Sequence, residues 1–188
     1  MGLIVHDNEF GGRGTEHKPL SVIQREVMEF LREEAGFAQV FTINTNGYPV
    51  GRTMGAPIDD EWNVELIQRN VHHRIDQISR NPRMEVLWVG TPSGVSTNDR
   101  PHVYDFGLQA PRVVFLRGNG EFLDPDDTWE RYWRRTERHL ALGRTLSPVR
   151  DRADVDRNLI GVLVRPVRIR AEGFGSGAES YTWDVVAP

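Results

Sequence analysis

The sequence predicts an α+β fold that is mainly β, in which about six to seven antiparallel strands form a small barrel with two to three flanking helices. Short runs rich in β-branched and aromatic residues recur along the chain and are separated by turn residues. Two longer segments instead repeat their apolar residues with the period of a helix. The 188 residues are enough for one domain with a sizeable core.

Composition narrows the possible functions. Hydrophobic residues make up 38% of the chain and charged residues 27%, which is typical of soluble globular proteins. The net charge of −4 argues against a general nucleic-acid binder and gives no support to a membrane-surface role. The absence of cysteine excludes disulfides, thiolate metal sites and cysteine nucleophiles. With no signal peptide and no apolar run of about 18 residues, we expect a cytoplasmic protein that does not enter a membrane.

The N-terminal part predicts an arm followed by a helix. We expect residues 1–18 to form the arm and residues 19–188 to form one domain. A helix of about 14 residues is predicted to begin with Ser21 as its cap and to end at Gly36. Its apolar stripe consists of Val22, Ile23, Val27, Phe30 and Leu31.

Three strands are predicted between residues 37 and 68. The segment FAQVFTIN is followed by Asn46-Gly47, a favoured pair for a tight turn because both residues tolerate positive φ. VGRTMGAPI (50–58) then returns, and WNVELIQ follows with Trp62, Val64 and Leu66 on one face. We therefore expect a three-strand antiparallel meander.

The second half of the chain predicts further strands around one long helix. A loop at 91–111 separates two of the strands, and a loop of this length is commonly functional. A proline inside the last long strand, Pro166, predicts a sheet edge or a bulge. The predicted elements are a strand at 84–89, one or two strands at 113–123, a helix capped at Asp124-Pro125, an irregular segment at 143–157, a strand at 158–172, a Gly/Ser turn at 173–180 and a final strand YTWDVV.

The segment HHRIDQISRNPR (72–83) carries the most informative charge pattern. It predicts a short helix that begins with His72, His73 and Arg74 and ends at the Asn81-Pro82 step. A helix N-terminus carries partial positive charge, so cations are normally unfavourable there. A bound anion would explain the pattern, although a solvated helix start that merely tolerates its charges is an alternative. A metal site is disfavoured, because adjacent histidines on a helix point in different directions.

Two segments together resemble the pyridoxamine phosphate oxidase-like flavoproteins, the FMN-binding split-barrel superfamily. In GYPVGRTMGAPI, a proline is followed three residues later by an arginine that enters a strand. In ELIQRNVHHRIDQISRNPRMEVLW, a strand, a basic cluster and a helix are followed by Asn81-Pro82-Arg83 and another strand. VVFLRGNGEFLD and VRPVRIRAEGF are similar to later strands of the family. The resemblance covers roughly residues 35–185 and implies a split β-barrel.

The resemblance also implies which residues bind the cofactor. Together with His72, which the basic helix start alone suggests, the predicted cofactor-binding residues are Arg52, Thr53, Met54, Ile67, Gln68, His72, His73, Arg74 and Trp183. The first three fall on the family's flavin strand, and the next two fall where residues touch the flavin ring and ribityl chain. His73 and Arg74 fall where the family binds the phosphate. Trp183 lies in a C-terminal segment that in such proteins often reaches the flavin, commonly across a dimer interface.

The function implied by the resemblance is an FMN-dependent oxidoreductase acting on a small molecule. The family binds its cofactor between two subunits, so a homodimer is implied. Three departures separate this chain from true pyridoxamine phosphate oxidases: Pro57 stands in place of a lysine, Val113 replaces a polar residue, and the C-terminal Arg-x-His pattern is missing. Oxidation of vitamin B6 is therefore not expected, and no catalytic residue is assigned.

Two alternatives remain open from the sequence. The chain could use a deazaflavin coenzyme as a bound cosubstrate, or it could be a non-catalytic barrel that binds flavin or haem. Haem would need an axial ligand such as His102 or His139. The loop at 91–111, with Asp99, Arg100, His102 and Tyr104, is expected to shape the substrate pocket.

Overall fold

A computed structural model describes residues 18–94, 108–109, 111–144, 149–175 and 180–185. Within this part, four α-helices accompany a seven-stranded antiparallel sheet and a separate two-stranded ribbon. The helices are α1 (Leu20–Glu29), α2 (His73–Arg80), α3 (Pro125–Ala141) and α4 (Arg152–Asn158). The strands are β1 (Ala38–Ile43), β2 (Pro49–Met54), β3 (Val64–Arg69), β4 (Arg83–Val89), β5 (Ser93–Gly94), β6 (Leu108–Gln109), β7 (Val113–Phe122), β8 (Leu159–Glu172) and β9 (Ser180–Asp184). The predicted α+β class is confirmed.

Helix α1 buries the predicted apolar stripe but begins differently from the prediction. Ile23 and Val27 are fully buried. The helix starts at Leu20, directly after Pro19, and no side chain caps it, so the prediction that Ser21 caps the helix is wrong. Pro19 itself occupies the cap position, and its carbonyl oxygen accepts hydrogen bonds from the N–H groups of Val22 at 2.9 Å and Ile23 at 3.3 Å. A π-helical turn, Phe30–Glu34, continues the helix.

Strands β1 and β2 form the predicted hairpin, with Val40 opposite Arg52. Its loop is longer than a two-residue turn, and of the Asn46-Gly47 pair only Gly47 has positive φ, +82°. The Asn44 side chain accepts hydrogen bonds from the N–H groups of Asn46 and Tyr48, each at 2.9 Å. These side-chain bonds stabilise the wider loop.

The predicted three-strand meander is wrong, because β3 pairs with β8 and not with β2. The order of the sheet is β2-β1-β4-β7-β8-β3, so β2 and β3 lie at opposite ends. Strand β8 is long enough to pair with β3 through its first half and with β9 through its second half. Between β2 and β3, Trp62 has a φ of +66°, so this residue precedes the strand instead of belonging to it.

Strand β7 is one continuous strand that pairs with β8 along its whole length. The register shifts between Arg117 and Gly118, and Gly118 lies opposite Pro166. A Cβ atom at Gly118 would clash with the carbonyl oxygen of Arg165. The bulge predicted from Pro166 is therefore confirmed, and glycine is required opposite it because the two backbones approach closely.

Helices α2 and α3 cover different parts of the sheet. Ile78 of α2 is buried in the core, and the hydroxyl group of Thr42 on β1 donates to Gln77 Oε1 at 2.6 Å. On α3, the buried Thr128 accepts a hydrogen bond from the N–H group of Gly161 at 3.2 Å. Helix α2 is thereby fixed against β1, and α3 against β8.

Helix α4 lies within the segment predicted to be irregular. The Asp151 side chain caps it by accepting a hydrogen bond from the N–H group of Asp154 at 2.8 Å. Helix α3 begins as predicted, since Asp124 accepts from the N–H group of Asp127 at 2.8 Å.

None of the helices in the described part of the chain is long and apolar enough to cross a membrane.

The long loop at 91–111 contains two short strands, β5 and β6, that pair with each other. Asp99, Arg100, His102 and Tyr104 lie outside the described residues. The N-terminal arm, up to residue 17, also lies outside them. The predicted roles of both segments remain predictions.

Candidate functional site

Helix α2 begins where the sequence predicts, with a free end. It runs from His73 to Arg80 and stops before the Asn81-Pro82 step. His72 precedes it in an extended conformation, and no side chain caps the helix. The Ile75 N–H group already donates to the carbonyl oxygen of His72 at 3.0 Å. The N–H groups of His73 and Arg74 have no partner within the helix, because their hydrogen bonds would require residues before the helix start. These two groups can serve an acceptor from outside the helix.

Arg74 connects this helix start to the end of β2. Its side chain is half-buried, and its Nη1 atom lies 3.0 Å from the sulfur of Met54. Met54 and Arg52 alternate with Thr53 along β2 and therefore share one face of the strand. The two segments that carry the family resemblance thus meet in space.

Five basic side chains gather at this point, and we refer to them as the α2 cationic cluster. They are Arg52, Arg69, His72, His73 and Arg74. Burial, and then the positive charges of the other four, lower the pKa of His72. Burial and the neighbouring Arg52 lower the pKa of Arg74 as well. Among the described residues, no carboxylate forms an ion pair with any of the three arginines. The cluster is therefore a concentration of uncompensated positive charge.

This concentration is unusual in a protein whose net charge is −4. Like charges at short range repel, and burial of Arg74 reduces the screening by water. An anion at the helix start would offset both costs, because it attracts the cations and accepts hydrogen bonds from free N–H groups. The arrangement can hold a phosphate or a carboxylate.

Gln68 is the second unusual feature, and it lies next to Arg69 near the end of β3. Its side chain is only 5% exposed. Neither its Nε2 atom nor its Oε1 atom has a hydrogen-bond partner within the described part of the chain. An unsatisfied buried polar group costs about 1–3 kcal/mol. A ligand that offers both an acceptor and a donor would relieve this cost. The half-buried Ile67 alternates with Gln68 along β3 and therefore lies on the other face of the strand.

Thr53 faces the other side of β2. Its Oγ1 atom accepts a hydrogen bond from Nε2 of Gln39 at 2.6 Å. It therefore does not join Arg52 and Met54 on the face that meets α2.

The structure brings together five of the predicted residues, Arg52, Met54, His72, His73 and Arg74, and adds Arg69. One feature of the sequence could have indicated Arg69: it is the last residue of β3 and comes shortly before the basic helix start.

Trp183 is distant from Gln68 within the chain. It is 2% exposed and makes an edge-to-face contact with Trp62, with 5.5 Å between the ring centroids. On β8, Trp183 lies opposite Ile169 and Gln68 opposite Ile160, so roughly 30 Å of strand separates the two positions. The buried indole N–H group has no partner within the described residues. Its contact with a flavin stays a prediction.

The outward face of the sheet carries a groove of about 1060 Å³. Half-buried apolar side chains from neighbouring strands line much of it, including Phe41, Ile43, Leu87 and Phe115. The groove lies on the opposite face of β1 and β4 from the buried core. It therefore exposes apolar surface in the middle of the sheet.

No group of three or more His, Asp or Glu side chains suited to a metal ion occurs among the residues that the structure describes. The site is built from cations and amides, which suits an organic anion.

Comparison with known proteins gives information through the fold alone. No family model matches the sequence, and no curated protein matches it. Solved structures do match. A candidate 5-nitroimidazole antibiotic resistance protein from Bacteroides thetaiotaomicron has a TM-score of 0.57 and 12% identity, with 97% of this chain and 91% of that chain covered.

Two further solved structures are similar to this chain. A candidate pyridoxamine 5'-phosphate oxidase from Listeria innocua has a TM-score of 0.54 and 13% identity, with 79% of this chain and 96% of that chain covered. An F420 reductase has a TM-score of 0.50 and 19% identity, with 75% of this chain and 94% of that chain covered. The chain therefore shares the fold of these proteins, which is the split barrel that its sequence resemblance implies.

Proposed function

We propose that the protein is an oxidoreductase that binds FMN, with the phosphate held by the α2 cationic cluster. The observation that carries the proposal is the set of basic side chains around the start of α2, whose arginines form no ion pair with a carboxylate of the described residues. The Arg74 guanidinium can donate two parallel hydrogen bonds to a phosphate. His72 and His73 add donors from their ring nitrogens.

The residues present fit a flavin in a second respect. The ribityl chain and the ring edge of a flavin carry hydroxyl, carbonyl and N–H groups, and the unpaired amide of Gln68 can both donate to and accept from such groups. Met54, whose sulfur contacts Arg74, supplies apolar surface of the kind that packs against an aromatic ring. The split-barrel fold supports this assignment by analogy.

The protein contributes binding, orientation and electrostatics to the reaction. When bound, FMN supplies hydride transfer between its ring and a substrate. Arg52 is exposed and beside the site, so its positive charge can stabilise negative charge that develops on the ring. No side chain is assigned as nucleophile or general base.

We further propose that two copies associate through the outward face of the sheet. The apolar side chains around the groove, Phe41, Leu87 and Phe115, would be covered by a partner. Exposed apolar patches of this kind commonly mark interfaces between proteins. Sedimentation equilibrium tests this point: a dimer is expected, and a monomer at micromolar concentration contradicts it.

A deazaflavin coenzyme is a second candidate for the same site. The cluster contains arginine and histidine but no lysine, and the fold is shared with an F420 reductase. The phosphate of such a coenzyme would use the same cations. A non-catalytic barrel that binds flavin or haem is the remaining alternative.

The absorbance spectrum of the purified protein, before and after reconstitution with FMN, tests the proposal. Two flavin bands that remain with the protein through gel filtration are expected. A single deazaflavin band or a Soret band would select one of the alternatives. A protein that retains none of these groups at micromolar concentration would contradict the proposal.

A further inference from the structure

The connection between β3 and α2 has to hold its position against electrostatic repulsion. It consists of Asn70, Val71 and His72, and two further members of the α2 cationic cluster, Arg69 and His73, flank it. All three connecting residues are exposed, so packing in the core does not fix them. Like charges at short range repel, which pushes the end of β3 and the start of α2 apart. A contact outside the core is therefore needed to keep the cluster together.

Asn70 makes such a contact with the end of α4. Its N–H group donates to the carbonyl oxygen of Asn158 at 3.0 Å, which extends the pairing of β3 with β8 one residue beyond Arg69 and Leu159. Its side-chain Nδ2 atom reaches further and donates to the carbonyl oxygen of Arg157 at 2.8 Å. The last carbonyl groups of a helix have no partner within the helix, so Asn70 satisfies two of them.

The last turn of α4 is itself fixed by hydrogen bonds to one carboxylate. Asp154 accepts from Nη1 of Arg150 at 2.5 Å and from Nδ2 of Asn158 at 2.5 Å. These two hydrogen bonds lower the pKa of Asp154, so the carboxylate is ionised at neutral pH. The carbonyl groups that accept from Asn70 therefore belong to an ordered helix end.

Helix α4 is in turn attached to α3 and to the interior of the protein. The N–H group of Arg150 donates to the hydroxyl oxygen of Tyr132 at 2.8 Å, and Arg152 pairs with Asp126 of α3 at 2.6 Å. Val155 on the inner side of α4 is fully buried. Helix α4 is thus a fixed support, and Asn70 joins the connection between β3 and α2 to it.

The contact also has a favourable electrostatic direction. The C-terminal end of a helix carries partial negative charge on its free carbonyl groups. Asn70 brings this end of α4 next to the cluster, because it lies between Arg69 and His72 in the chain. The partial charge offsets some of the repulsion, and the guanidinium groups of the cluster remain free to bind a ligand.

We propose that Asn70 is a positioning residue of the cofactor site, which fastens the α2 cationic cluster to the end of α4. The inference deepens the proposed function and rests on it for the identity of the bound anion. Cations that are already held together do not have to be assembled when a phosphate binds, so less binding free energy is lost in ordering them. Asn70 exerts this effect through Arg69 and His72.

Histidine NMR of the full chain without ligand tests the positioning. Burial, followed by the charges of the other cluster residues, lowers the pKa of His72, and His72→Gln identifies its resonance. Asn70→Ala releases the connection and lets the cations separate, so the pKa of His72 should rise towards its ordinary value. Asn44→Ala is the matched control, because Asn44 also makes two hydrogen bonds within a loop. It should leave the pKa of His72 unchanged.

Titrations with FMN and riboflavin test the consequence for binding. Asn70→Ala should raise the FMN dissociation constant about fivefold, which corresponds to about one hydrogen bond, and should leave riboflavin binding unchanged. The ratio of the FMN dissociation constants of Asn70→Ala and the unmodified protein should approach one in about 1 M salt, where the repulsion is screened. Asn158→Ala, which loosens the last turn of α4, should change FMN binding in the same direction.

The outcomes separate this inference from the proposed function. An unchanged pKa of His72 in Asn70→Ala would overturn the inference. If the unmodified protein binds FMN, equal FMN affinity in Asn70→Ala and Asn44→Ala would also overturn it, although the proposed function would stand. If the unmodified protein binds no FMN but the pKa of His72 rises in Asn70→Ala, the positioning by Asn70 is supported and the proposed cofactor is wrong.

Discussion

Replacement of Gln68 by leucine should stabilise the protein without ligand and weaken its binding of FMN. The buried side chain leaves both a donor and an acceptor unpaired, and each such group costs about 1–3 kcal/mol. Leucine has a similar volume, and Leu66 already occupies the same face of β3. We expect a gain of about 2 kcal/mol in the free energy of unfolding, which raises Tm by about 4–8 °C.

The same substitution should raise the FMN dissociation constant by about fivefold or more, because one or two hydrogen bonds to the ligand are lost. Urea denaturation of the ligand-free protein and fluorescence titration with FMN measure the two effects. Gln39→Leu is the matched control, because Gln39 already donates to Thr53 at 2.6 Å. A Gln68→Leu variant that is destabilised like the control, or that binds FMN normally, would refute the reasoning.

Three other predictions concern the bulge, a helix cap and the cluster. Gly118→Ala should lower the free energy of unfolding by about 2–4 kcal/mol in urea denaturation, because the new Cβ would clash with the backbone of Arg165. Gly36→Ala is the control and should leave the free energy of unfolding almost unchanged, because the space around Gly36 is open. Asp124→Ala should cost about 0.5–2 kcal/mol in the same assay through loss of the α3 cap, and an unchanged midpoint would contradict this. The lowered pKa of His72 means that its contribution to stability is present above about pH 6.5 and is lost as the pH falls towards the folded-state pKa. NMR titration should show that phosphate raises this pKa, and no change on adding phosphate would argue against an anion at α2.

Local sequence patterns were sufficient to predict the structural features that depend only on neighbouring residues. Asn81-Pro82 ends α2 because the residue before a proline avoids helical geometry. Pro166 lacks an N–H group, so a bulge or an edge had to occur near it. The basic start of α2 predicted an anion site, and the structure adds that no carboxylate of the described residues forms an ion pair with Arg52, Arg69 or Arg74.

The features that could not be predicted depend on contacts between distant segments. The partner of β3 is β8, which begins about ninety residues later at Leu159, and a hairpin rule favours the neighbouring strand instead. The unpaired amide of Gln68 becomes visible only when its surroundings are known. The same holds for the hydrogen bond of Asn70 to the end of α4, which joins residues 87 positions apart.

The affinity of Arg74→Ala for FMN and for riboflavin tests the central claim most directly. Riboflavin lacks the phosphate, so the account predicts FMN binding about tenfold weaker in the variant and riboflavin binding unchanged. Arg80→Ala, at the other end of the same helix, should bind FMN normally. Equal FMN affinity in Arg74→Ala and Arg80→Ala would contradict a phosphate site at the start of α2.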